Sequence, residues 1–340
     1  DQQAFEAWWT YVGVAAYDDS APIVSELPDD AEPVDAAWGS VRLTGYRMEE
    51  TPAGDDAWVE LYWRAGDDAP DEPLTLKMQM RDEADTVWVE RTAQVLPFYA
   101  PAVWPDNRLV RTEFRLPLPP ETPPTSYRIS LEPVGLGERR AIGQVRVARP
   151  ASPNPVARPK ARFENGISLL SSELQGSKFR AGLPLLGSLT WGSDAIPSAD
   201  LRLQVRLVDL VGRVVAKNDL RPSAAGFPTT AWRPGDRIAG RMWLPLPADL
   251  NGGRYWVQLG LVDVQRGRVV PARRWYGKRD WVTIGSAKIE AWPLRTELPQ
   301  EVDHRLEDVE VAGNVRLLGY ESSREEQTLN VTLYWQAEER

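Results

Sequence analysis

The chain has 340 residues, 42% of them apolar, with 15 Trp, 29 Pro and a formal charge of −9. That length suits two or three domains, each able to bury a core, and the proline content favours short strands joined by rigid turns over long helices. The acidity speaks against a nucleic acid partner, which needs basic patches; the lack of cysteine excludes disulfides, thiolate metal sites and a cysteine nucleophile.

The chain opens on Asp1-Gln2-Gln3 rather than Met, so it is expected to come from a longer protein whose export signal or anchor lies elsewhere. The apolar stretch from Ala7 to Tyr17 is about half the ~20 residues that a spanning helix needs, and it lacks the basic flank and cleavage site of a signal peptide. Residues 3–12 read as a short helix, whereas 8–17, with Val12-Gly13-Val14, also suit the last strand of a preceding module. Residues 18–36 carry seven carboxylates and no base, the mark of a solvated spacer.

From residue 37 onward the sequence repeats itself. Val41-Arg-Leu-Thr-Gly-Tyr46 returns as Val315-Arg-Leu-Leu-Gly-Tyr320, and Trp58 to Ala65 returns as Leu329 to Ala337. A more diverged middle copy places Ile167 to Ser172 and Gly187 to Trp191 at those positions. Leu74 to Met80 parallels Leu201 to Leu207, Trp104 parallels Trp232, Leu116-Pro-Leu-Pro119 parallels Leu244-Pro-Leu-Pro247, and Tyr127 parallels Tyr255. Ile142 to Val147 parallels Ile284 to Ile289. Ordered recurrence of this kind is the signature of tandem modules.

Each unit reads as strands. Leu74, Leu76, Met78 and Met80 alternate with polar residues, as do Leu201, Leu203, Val205 and Leu207; period two with one polar face predicts half-buried antiparallel strands. The expected fold class is all-β, as tandem immunoglobulin-like or jelly-roll antiparallel sandwiches. Module one spans 37–149, a Pro-rich linker 150–160, module two 161–291, a second linker 292–308, and the first strands of an incomplete module three 309–340. Two strands cannot close a sandwich, so this last part is expected to fray, to be borrowed by module two, or to pair with another molecule.

Trp63, Trp191 and Trp335 share strand parity with apolar neighbours and read as equivalent core residues. Trp243 and Trp256 differ. Met242, Leu244 and Leu246 mark the inward face of one strand, and Tyr255, Val257 and Leu259 that of the next, so both indoles are predicted to face outward. Asn251-Gly252-Gly253 reads as a hairpin placing them side by side, a flat platform for a sugar ring or for a neighbouring module. Arg241, Arg254 and Gln258 beside them would supply hydrogen bonds. Module one has Arg115 and Arg128 at these positions, so the aromatic pair is not a framework requirement.

His304, the sole histidine, falls in the second linker, which excludes a His-based triad or a multi-His metal site. The carboxylate pairs Asp55/Asp56, Asp67/Asp68 and Asp71/Glu72 read as solvated turns rather than an acid–base pair. No spaced calcium loop, phosphate-binding loop or serine elbow occurs. The residues predict no catalytic group, metal or cofactor.

Leu317 to Ala337, Trp232 to Asp263 and the Gly285 strand together resemble a β-sandwich module of bacterial surface proteins. In particular they are similar to the extracytoplasmic C-terminal tails of membrane glycosyltransferases of the protein O-mannosyltransferase type. The resemblance covers most of residues 37–340. It implies a non-catalytic, extracytoplasmic or cell-surface segment attached to a membrane-anchored parent, and it carries over no active-site residue. The expected role is a structural spacer or interaction surface whose partners are neighbouring β-modules, a protein or a glycan. The alternative is a carbohydrate-binding accessory domain using the Trp pair.

Overall fold

The computed structural model describes residues 23–150, 158–273, 277–291, 302–312, 315–325 and 328–337. The helix or strand expected before residue 18 lies outside these. The first sandwich contains β1 (Ile23–Val24), β2 (Glu32–Trp38), β3 (Val41–Met48), β4 (Thr51–Pro52), β5 (Asp56–Ala65), β6 (Thr75–Arg81), β7 (Val87–Gln94), β8 (Leu109–Pro117), β9 (Ser126–Pro133) and β10 (Arg140–Ala148). One layer runs β1-β8-β5-β3-β2 and the other β4-β10-β9-β6-β7.

The second sandwich contains β11 (Ala161–Phe163), β12 (Ile167–Leu174), β13 (Lys178–Arg180), β14 (Pro184–Ser193), β15 (Leu201–Val208), β16 (Val214–Leu220), β17 (Arg237–Pro245), β18 (Gly253–Asp263), β19 (Arg268–Val270), β20 (Ala272–Arg273), β21 (Lys278–Arg279) and β22 (Val282–Glu290). Its layers run β17-β14-β12-β11-β20-β21 and β13-β22-β18-β15-β16, with β19 on β18. Pairing is antiparallel except β4 on β10 and β13 on β22. A last sheet, β23 (His304–Ala312), β24 (Val315–Glu325) and β25 (Thr328–Ala337), pairs in that order. The fold is all-β, built of tandem antiparallel sandwiches.

The alternation read from the sequence becomes the core. Leu76, Met78 and Met80 on β6, and Leu201, Leu203, Val205 and Leu207 on β15, point between the layers and are buried. Trp63 packs beside Trp38, ring centroids 6.2 Å apart, and Trp191 lies between Phe163 and Trp232 at 6.2 and 6.5 Å. In all three units the second pairing carries a bulge at one place: after Leu43 in β3, after Leu169 in β12 and after Leu317 in β24. Each bulge inserts one residue (Thr44, Leu170, Leu318), so the inward face resumes one position late.

Four expectations are corrected. The acidic segment is not all spacer: Glu32–Trp38 is a strand of the first layer, pairing with β3 and burying Ala36 and Trp38. His304 is not in a linker, because it begins β23 and its ring stacks on Tyr320 with centroids 4.4 Å apart. Trp335 has the inward parity of Trp63 and Trp191 but is 48% exposed, since no second layer covers its sheet among the described residues. Asn251-Gly252-Gly253 is not a hairpin within one sheet; it carries the chain from β17 in one layer to β18 in the other.

Candidate functional site

That last crossing dismantles the indole platform. Trp243 and Trp256 do face outward, 49% and 41% exposed, but from opposite layers, with the core of the sandwich between them. Arg241 is drawn elsewhere again. Its Nη2 donates to the carbonyl of Trp88 in the first sandwich at 3.1 Å, and its guanidinium stands 5.3 Å from the centroid of the Trp88 ring. Burial lowers the Arg241 pKa, with the charge of Asp82 opposing the shift. Arg241 is therefore part of a seam between sandwiches.

The seam is polar and specific. Asp82, 3% exposed, accepts from Trp88 Nε1 at 2.9 Å and from the Ala225 amide of the second sandwich at 3.0 Å through Oδ2. Its Oδ1 accepts from the amides of Ala84 and Thr86, both at 3.0 Å. The Ala239 amide donates to Glu121 O at 2.7 Å, and Arg237 pairs with the Glu121 carboxylate at 3.2 Å. Arg149 closes the far side by donating to Ala231 O at 2.7 Å and pairing with Asp236 at 3.2 Å. A buried carboxylate is tolerated here because four N–H groups surround it.

Trp256, Arg254 and Gln258 stay together on the outer face of the β13-β22-β18-β15-β16 layer. The register arranges that face in rows. Lys178, Lys288 and Arg254 stand opposite one another across β13, β22 and β18. One step along, Trp256 lies between Ser286 and Val208. The next row is Thr283, Gln258, Arg206 and Lys217.

Hydrogen bonds fix the polar members of this face. Arg206 donates to Gln258 Oε1 from Nε at 3.0 Å and from Nη2 at 2.8 Å, and Gln258 Nε2 donates to Thr283 Oγ1 at 3.3 Å. Gln204 donates to Asp219 at 2.6 Å. Trp281 folds back over the sheet where Gly260 leaves room: a Cβ there would stand 3.2 Å from the indole. The Arg206 guanidinium lies 3.7 Å from the ring centroid of Trp281, a cation–π stack. Burial lowers the Arg206 pKa, while Asp280 pulls it upward. Beside this stack Gln204, Arg206, Val214, Ala216 and Lys217 line a shallow hollow.

Sequence reading thus placed Trp256, Arg254 and Gln258 on one outward face but did not single out Arg206 and Trp281 beside them. The alternation of β15 placed Arg206 outward with Arg202 and Gln204, and that signal was available. The reach of Trp281 over Gly260 had no local signal, because it depends on which strands are neighbours.

No family model and no curated protein matches the chain. Among solved structures it is similar to the C-terminal domain of Wzt, with 14% identity over 42% of this chain and 90% of that one, at a TM-score of 0.30. It is also similar to α2-macroglobulin of Salmonella (12% identity, 90% of this chain and 21% of that one, TM-score 0.23). The same holds for E. coli α2-macroglobulin (12% identity, 93% and 17%, TM-score 0.22). The chain spans about a fifth of each macroglobulin's length. These neighbours are β-rich domains, and the likeness is one of fold alone. The expected kinship with glycosyltransferase tails has no sequence-level support in them.

Proposed function

We propose that this chain is a non-catalytic, extracytoplasmic array of β-sandwich modules, serving its parent protein as a rigid spacer that presents an interaction surface. The observation that carries this reading is the seam around Asp82. A spacer must transmit position, and a linker alone leaves domains free to reorient. Here a buried carboxylate of one sandwich takes a backbone amide of the next, flanked by Arg241 on Trp88 and Arg149 on Asp236. What supports a membrane-anchored parent of the glycosyltransferase type is the resemblance of the modules alone.

NMR relaxation of the intact chain tests the reading. The two complete sandwiches are expected to share one rotational correlation time, and Asp82→Ala combined with Arg241→Ala to give two shorter ones. Independent tumbling of the unaltered protein would refute the rigid spacer. Glycan binding is the second reading, favoured by the ordered Trp256, Gln258, Arg206 and Trp281 face.

A further inference from the structure

The outer face of the β13-β22-β18-β15-β16 layer has a charge pattern at odds with the rest of the molecule. The chain carries −9 overall, yet cations are gathered on this one face: Lys178, Lys288 and Arg254 in one row, Arg206 and Lys217 in another, with Arg180 and Arg202 on the same side of β13 and β15. Within each row the cations stand directly opposite each other across paired strands. Like charges so placed destabilise a sheet, and Lys178, Lys288, Arg254 and Lys217 have no ion-pair partner among the described residues. The acids near them are fewer: Asp219 accepts from Gln204, Glu290 stands opposite Arg180, and Asp280 lies close enough to Arg206 to act on its charge. A repulsive arrangement retained on a folded surface fits a face that meets negative charge in a partner.

Between the basic rows lies the apolar row. Trp256 sits one outward position from Arg254 and from Gln258, so each basic row is about 7 Å from it along the strands. An exposed indole offers a flat surface to the C–H face of a pyranose ring. Lys and Arg on either side then reach substituents on neighbouring rings, and the Gln258–Thr283 pair is placed for hydroxyls. The second aromatic, Trp281, holds Arg206 flat and pre-oriented, with its Nε and Nη2 already committed to Gln258. The remaining N–H groups of Arg206 are left for an acceptor, and a planar guanidinium suits carboxylate or phosphate oxygens best.

We infer that this face binds an anionic polysaccharide, a chain of pyranose rings bearing carboxylate or phosphate groups, with Trp256 stacking on a ring and the Lys178–Lys288–Arg254 and Arg206–Lys217 rows neutralising its charge. This deepens the glycan-binding reading and does not depend on the rigid seam. Neutral glycans lack the charge that the rows demand. Nucleic acid bases also stack on indoles and carry phosphate, so they are the necessary control.

Calorimetric titration of the full chain tests the assignment, with oligogalacturonate as the carboxylate probe and a glycerol phosphate polymer bearing sugar substituents as the phosphate probe. Neutral dextran oligosaccharides and a single-stranded DNA oligonucleotide serve as comparators. At least one acidic glycan should bind, with affinity falling as salt rises, and dextran should bind at least about tenfold more weakly. Trp256→Ala and Arg206→Ala should each weaken binding by about tenfold. Lys288→Glu, on an exposed side chain that folding does not require, should weaken it further and flatten the salt dependence. Trp243→Ala, on the opposite layer, should change nothing. Equal affinity for dextran, tighter binding of the oligonucleotide, or indifference to both Trp256→Ala and Lys288→Glu would overturn the assignment. Because these positions lie away from the Asp82 seam, such a failure would leave the rigid-spacer reading standing.

Discussion

One residue type shows how position, not identity, sets its worth. Trp63 is fully buried, packs beside Trp38 and donates through Nε1 to Thr112 Oγ1 at 2.9 Å. Trp63→Ala should cost about 3–5 kcal/mol in urea unfolding, by cavity formation and loss of that bond. Trp335 has the same parity and the same preceding residues, Leu333 and Tyr334, but half of it meets solvent. Its truncation should cost less than about 1 kcal/mol in the same measurement. Equal losses would mean that Trp335 is covered in solution. A carboxylate gives a second handle. A hydrogen bond from Gln79 holds the Glu90 pKa below the usual glutamate range, with Lys77 adding to the shift against burial. A lowered folded pKa stabilises the protein above the ordinary value of about 4.3 and loses that benefit as pH falls through the folded pKa. The stability difference between the parent protein and Glu90→Gln should therefore be steady near neutrality and shrink below about pH 4. A pH-independent difference would remove the ionic contribution.

At the scale of the strand, the two complete sandwiches solve one problem in two ways. The buried indole N–H of β5 is met by the side chain of Thr112 on β8, which stands opposite Leu61. In the second sandwich the matching position, opposite Leu189 on β14, is Gly240. The Pro222 carbonyl enters the space left there and accepts from Trp191 Nε1 at 2.9 Å. A Cβ on residue 240 would press on both the carbonyl and the indole nitrogen. Gly240→Ala should thus destabilise by about 1–3 kcal/mol, through overpacking of backbone rather than of a pliant side chain. Crystallography of the variant should show Pro222 displaced; an unmoved carbonyl with unchanged stability would refute the account. The strands themselves were legible, since Leu74–Met80 and Leu201–Leu207 alternate without interruption and fold as β6 and β15. The bulge was half legible: Leu43, Gly45 and Tyr46 recur as Leu317, Gly319 and Tyr320, but only pairing reveals the extra residue. What period two cannot carry is layer assignment. Asn251-Gly252-Gly253 has the composition of a hairpin, and nothing in it says whether the next strand stays in the sheet or crosses the core.

Across the whole molecule, contacts between distant segments decided what the sequence left open. Arg241 reads locally as a neighbour of Trp243, yet its guanidinium belongs to Trp88, more distant in the chain than any pattern window reaches. The basic face likewise assembles from β13, β22, β18, β15 and β16, whose cations are scattered through the sequence of an acidic chain. The last sheet shows the converse: β24 and β25 were legible while the start of β23 was read as linker, and the lack of a covering layer among the described residues decides their state. Leu329, Val331, Leu333 and Trp335 line one face of β25 and are exposed, where Val59, Leu61 and Trp63 on β5 are fully buried by the second layer of their sandwich. β23, β24 and β25 pair only with one another among the described residues. Removing residues 304–340 should accordingly leave the unfolding midpoint of the two complete sandwiches unchanged in calorimetry. Binding of a hydrophobic dye by the native protein should fall, because the exposed strip of Leu329, Val331, Leu333 and Trp335 goes with those strands. A lowered midpoint on truncation would instead show that the three-stranded sheet shares its apolar face with the second sandwich in solution.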